Sequence, residues 1–329
     1  MIKRILFAGG LIIGASLAGG LNPTAVAQEP DWEHPMTPWG EPDLQGMWPL
    51  NHLIGVGLQR NPEFGDRLYM TDEEFEVEQE SVQQRDERFV TGTIPVADAA
   101  GRAMRQTSLI VDPPDGQFPP LTEYGEQLQA NMRSTYRPGQ TVFDGISDFS
   151  AWDRCITRGM PVSMLPRNYN NGIEIIQSPG HVVLLVEMAH EARIIPTGNR
   201  EPLDPAIRQW LGDPRGRWEG NTLVVETTNY NGRVGKTSAG VPGSPRPLQP
   251  STPNMRTIER FTRVSDEQID YELVVEDPEV LASGSFTVQY PMFLDNDYVA
   301  YEYACHEGNT AIRNYIETSR FEQSGQSDQ

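Results

Sequence analysis

The 329-residue chain is poor in the signatures that usually announce a chemistry, and each gap excludes something. It has two cysteines, Cys155 and Cys305, and five histidines. After the first 27 residues there is no C-x-x-C, no H-E-x-x-H and no G-x-S-x-G, which leaves thioredoxin-like, zincin and α/β-hydrolase chemistry without support. Gly235-Lys236-Thr237 looks like the end of a phosphate-binding loop, but Tyr230 stands where that loop needs glycine. Gly55-Val56-Gly57 likewise lacks the third glycine of a dinucleotide fingerprint, because Arg60 occupies it. No nucleotide cofactor is implied.

Positive charge is also scarce. Lys and Arg number 26 against 46 Asp and Glu, for a formal charge of −20. Such a balance argues against nucleic acid or an anionic membrane surface as partner. Beyond residue 27 no run is apolar enough to cross a bilayer.

The one long apolar run stands at the N-terminus. Lys3 and Arg4 precede an uncharged stretch from Ile5 to Leu21, Asn22-Pro23 breaks any helix, and Ala25-Val26-Ala27 forms a small-x-small site. This order predicts a secretory signal peptide cleaved after Ala27, an uncleaved anchor being the alternative. The expected address is periplasmic or extracellular, with no membrane insertion after cleavage. In an oxidising compartment Cys155 and Cys305 are expected to pair, two free thiols being the alternative.

The rest of the chain reads as one β-rich domain. Residues 28–70, rich in Pro, Gly and Trp, suggest an extended arm on the body. The capping box Thr71-Asp72-Glu73-Glu74 with Phe75, Val82 and Phe89 predicts a helix over 72–89. A second is expected over 123–133, and a third over 310–320, capped by Asn309. A short strand entering a turn is expected over 110–116, and strands at 173–177, 181–188, around the Gly220-Asn221 turn, at 257–264 and 269–276, and at 285–290 and 298–304. Ile269, Tyr271, Leu273 and Val275 alternate with Asp270, Glu272 and Glu276, as a half-buried strand requires. Seven or eight strands in series predict a mainly β domain over 71–320. The favoured form is a closed or nearly closed antiparallel barrel of lipocalin or calycin type, and the alternative is a β-sandwich. The tail at 321–329 is expected to be disordered.

Histidine transfers protons near neutral pH, so the company kept by the histidines guides the search for a site. His190 follows Glu187 and precedes Arg193, and His306 follows Glu302, each where an expected strand runs out. If a disulfide forms, it draws Arg154 or Arg158 towards His306, because bridged Cα atoms lie ~5.5 Å apart. These residues make a candidate site in which His190 or His306 moves a proton. Glu187 or Glu302 orients it, and Arg154 or Arg193 holds an anion. Arg158, Tyr169, Asn170 and Asn171 are candidates for binding. No metal is favoured; a divalent ion, if bound, would draw on His190, His306 and Glu187.

Five segments together resemble a family of secreted bacterial proteins. They are residues 39–46 (WGEPDLQG), 110–116 (IVDPPDG), 153–155 (DRC), 216–226 (GRWEGNTLVVE) and 302–309 (EYACHEGN). The resemblance implies an exported single-domain protein and transfers no activity. Two functions are therefore carried forward. One is an enzyme of lyase, isomerase or hydrolase type acting on a small polar or anionic molecule or sugar. The other is a non-catalytic ligand-binding barrel.

Overall fold

A computed structural model describes residues 32–90, 102–238, 240–246 and 248–325. The proposed signal peptide and its cleavage site lie outside these residues.

Among the described residues ten strands form two antiparallel sheets, accompanied by three α-helices. The four-stranded sheet has the order β1 (Gly46–Met47), β3 (Ile173–Ser178), β4 (His181–Val186), β5 (Glu191–Pro196). The six-stranded sheet runs β2 (Ile110–Asp112), β10 (Ser285–Phe293), β9 (Gln268–Glu276), β8 (Arg256–Ser265), β7 (Thr222–Thr228), β6 (Asp213–Glu219). The helices are α1 (Asp72–Val90), α2 (Glu123–Asn131) and α3 (Ala311–Gln323).

The hairpins form where turn chemistry asks for them. Pro179-Gly180 joins β3 to β4 with Gly180 at φ +76°, a conformation glycine adopts without a Cβ clash. Gly220-Asn221 joins β6 to β7, and Asp266-Glu267 joins β8 to β9. In β9 Ile269, Tyr271, Leu273 and Val275 are buried while their neighbours are half-exposed, so one face of the large sheet is covered.

The sheets do not close into a barrel. No described ladder joins β5 to β6, although the two strands lie near each other. Both are edge strands that contain a proline, Pro196 and Pro214, and proline has no N–H to offer a ladder. Instead the inner faces of both sheets feed one core, with Ile173, Val182 and Ile195 from one and Val225, Phe261 and Leu273 from the other. This two-sheet arrangement is compatible with the sandwich alternative.

Three further segments differ from expectation. Residues 298–304 alternate like a strand but form none, for a reason given by the site below. The N-terminal arm is woven in rather than laid on. Leu44, Trp48 and Leu50 are fully buried, β1 pairs with β3, and the Gln177 side chain accepts from Leu44 N–H and donates to the Pro42 carbonyl. At the other end α3 runs on through Phe321 to Gln323, part of the tail expected to be disordered.

Candidate functional site

A disulfide joins Cys155 to Cys305, with Cα atoms 5.6 Å apart, and organises one end of the molecule. On one side of it Asp153 gathers a turn. Its carboxylate accepts from the hydroxyls of Ser134, Thr135 and Ser150 and from the backbone N–H of Ser150 and Thr135. On the other side the segment 298–303 lies against the end of β4. Two of its residues turn their backbone to side chains: Tyr301 N–H donates to Glu187 at 2.9 Å, and the Tyr303 backbone lies within hydrogen-bond reach of the His190 ring. These bonds replace the ladder that a strand there would need.

Glu187 is therefore a clasp. Asn170 Nδ2 and Tyr301 N–H donate to one carboxylate oxygen, Gly172 N–H and Tyr298 Oη to the other. All four acceptor positions of the carboxylate are filled. Gly172 has to be glycine here, since a Cβ would stand 2.8 Å from the Tyr298 ring and 3.0 Å from Glu187 Oε2. Asn171 is equally structural: it is fully buried and closes a turn on the backbone of Arg167. His190, at φ +51° after a turn at Ala189, keeps Nδ1 within 3.0 Å of the Tyr303 carbonyl.

Other expected partners separate. Arg193 points into the core, where it forms a buried bidentate pair with Glu259 of β8, and Tyr271 Oη donates to the same carboxylate. It holds the two sheets together and is not available to an external anion. Glu302 and His306 are exposed, and no described hydrogen bond or ion pair engages either side chain. Since 298–304 is not a strand, no strand face holds Glu302 beside His306. Among the described residues no three His, Cys, Asp or Glu come together as a metal site, His190, His306 and Glu187 included.

What does converge is a layered group of rings and guanidinium. The Arg158 guanidinium carbon sits 4.0 Å above the Trp152 ring, Trp152 lies 6.0 Å from Tyr303, and Tyr303 stacks on Tyr169 at 6.3 Å with 15° between planes. Burial and the neighbouring Tyr169 hydroxyl raise the Tyr303 phenol above its ordinary range.

Arg158 also belongs to a half-open cleft of about 410 Å³, walled by the end of α2 and by the loops 133–136, 147–158, 232–238 and 248–251. Four arginines line it, Arg133, Arg154, Arg158 and Arg233, with no His, Lys, Asp or Glu among the described lining. Arg133 is balanced by Asp148 at 3.2 Å. Neither Arg154 nor Arg233 has an acidic partner within 4 Å among the described residues. Arg158 donates to Ser238 Oγ at 2.8 Å.

Behind this wall the positive charge continues. Arg167 is 1% exposed and donates to the Val162 and Ser163 carbonyls, while its Nε and Nη1 have no hydrogen-bond partner among the described residues. Burial, and then repulsion from Arg158, push its pKa down to about 9. Glu191, at the start of β5, stands near both arginines and accepts from Thr157 Oγ1, Ser163 Oγ and the Arg158 N–H. A deeper tie fixes the opposite wall. Lys236, fully buried, bonds to Asp277 and to the Pro250 carbonyl, and burial pushes its pKa down to about 8.

Of the expected site residues, only Arg154 and Arg158 line the cleft. Arg133 with Ser134, and Arg233 with Ser238, come from two separate loops that carry no motif, so nothing in the sequence singles them out. No protein-family model matches the chain, and no curated protein or solved structure matches it either. Fold and site together define a disulfide-stapled, two-sheet β protein with an arginine-lined cleft. No described helix is long and apolar enough to cross a membrane.

Proposed function

We propose that this is an exported protein whose arginine cleft binds a small organic anion, a carboxylate foremost. The observation that carries the reading is a cleft with four arginines and no acid in its described lining, in a chain of charge −20. Guanidinium groups meet carboxylates with two parallel N–H donors, which is why arginine gathers where such ligands are held. An anion there would also relieve the repulsion between Arg158 and Arg167. Trp152 and Phe149 supply an apolar wall beside the charges, the mixture common in small-molecule sites. Export is supported by the disulfide and by the leader-like N-terminus.

Binding is favoured over a lyase, isomerase or hydrolase reaction. General acid–base catalysis needs a proton carrier within reach of the substrate. His190 is engaged with the backbone of Tyr303, and His306 lies outside the cleft lining.

Calorimetric titration with matched pairs separates charge from shape: galacturonate against galactose, and benzoate against benzyl alcohol. The expected result is binding of at least one acid and about tenfold or weaker binding of its neutral twin. Equal affinities within each pair, or binding of none of them, contradicts the proposal.

A further inference from the structure

The arginine cleft has a neighbour. A second cavity of about 340 Å³ shares Tyr136, Ser238 and Leu248 with it, so the two adjoin as a trough in two parts. The described lining of this second part carries one charge, Arg246, and again no acid. Arg246 is exposed and has no acidic partner within 4 Å among the described residues. The rest of its described lining includes uncharged polar groups: the Asn168 amide, the Ser238 and Ser244 hydroxyls, and the backbone of 240–245. Tyr136, half exposed, lines both cavities at the junction.

The wall formed by 240–245 is a built surface rather than a loose loop. Leu58 N–H donates to the Pro242 carbonyl at 2.7 Å, and Gln59 Nε2 donates to Gly243 O at 3.3 Å. A Cβ on Gly243 would come within 2.9 Å of Gly57 Cα, so the two backbones are in close contact. The buried N-terminal arm thus holds the second cavity in shape.

From this arrangement we infer that the ligand is an oligomeric sugar acid, seated with one carboxylate among Arg133, Arg154, Arg158 and Arg233 and a later one at Arg246. This deepens the reading of the cleft as an organic-anion site and rests on it. Each cavity alone falls in the ~300–1,000 Å³ range of small-molecule sites, so the joined trough has room for more than one ring. A chain of uronic acid units presents carboxylates at intervals with hydroxyls between them. The trough offers guanidinium in both of its parts, hydroxyl and amide groups beside them, and the Tyr136 ring shared by the two for a sugar face. An acidic peptide shares the charge but not the hydroxyls, and it is the competing ligand the test includes.

Calorimetry with mono-, di- and trigalacturonate, and with triglutamate, measures this directly. Expected is a dissociation constant at least about tenfold lower for the trimer than for the monomer, because the second contact becomes intramolecular. Arg246→Gln should remove that gain, bringing the trimer's affinity down to the monomer's, while Arg154→Gln weakens both. Equal affinity for monomer and trimer overturns the oligomer and leaves the organic-anion reading standing. So does a trimer whose advantage survives Arg246→Gln. A length-independent uronate with tight triglutamate assigns the trough to peptides and also overturns it. If no galacturonate binds while benzoate does, the sugar is wrong and the anion site remains. If no acid binds at all, both readings fall.

Discussion

Glu187 shows how a single residue can look catalytic and be structural. A carboxylate three positions before a histidine at a strand end suggests an acid–base pair. In the fold it receives four donors and leaves no oxygen free for substrate. Glu187→Gln keeps the shape but turns an amide N–H₂ towards donors, so it should destabilise the protein by roughly 2–4 kcal/mol. Urea denaturation measures this, and a near-neutral result would remove the clasp from the account. His52 gives the pH dependence. It is buried beside Phe293, Nε2 lies 2.9 Å from the Pro291 carbonyl, and burial lowers its pKa from 6.5 to about 4. The unfolded chain therefore binds the proton that the folded chain refuses between those values. Stability is lost as pH falls from 6.5 towards 4, by up to about 3 kcal/mol from this group. His52→Gln, which can still donate to Pro291, should flatten that part of the profile relative to the parent; an unchanged slope contradicts the assignment.

At the scale of elements, what could be read in the chain is what local chemistry decides. Pro179-Gly180 and Gly220-Asn221 specify their hairpins, and the alternation of β9 specifies its buried face. The segment 298–304 misleads because Val299, Tyr301 and Tyr303 alternate like a strand while Glu187 and His190, over a hundred residues earlier, claim its backbone. Closure of the sheet is equally non-local. Pro196 and Pro214 were the available hint that β5 and β6 are edges, but only the packing of Arg193 on Glu259 reveals how the sheets face each other. The same buried pair removes Arg193 from the candidate site, whereas Arg154 and Arg158 were legible through the cysteine beside them. The bridge spans 150 residues, and loops beyond a hundred residues are worth about 5 kcal/mol in the chain-entropy account. Replacing both cysteines by serine should lower stability by several kcal/mol and expose 298–325 to protease before the sheets. Simultaneous loss of both regions would show that the bridge does not organise this end selectively.

Across the whole molecule the distribution of charge is the main functional signal. Acidic residues outnumber basic ones by 46 to 26, yet the described lining of the trough has arginine and no acid. A net negative surface slows the approach of anions over distances that salt screens, while contacts inside the cleft are screened much less. The composition that argued against nucleic acid thus coexists with a local site of opposite character, which no average over the chain could disclose. The sharpest test reverses that local charge. Arg154→Glu with Arg233→Glu changes two side chains that lack acidic partners and lie at the cleft, so stability should hold within about 1 kcal/mol. Titrating parent and double variant with the tightest acid of the matched pairs should show at least a hundredfold loss of affinity in the variant. Undiminished affinity, with the fold intact by thermal melting, would place the anion elsewhere and contradict the account.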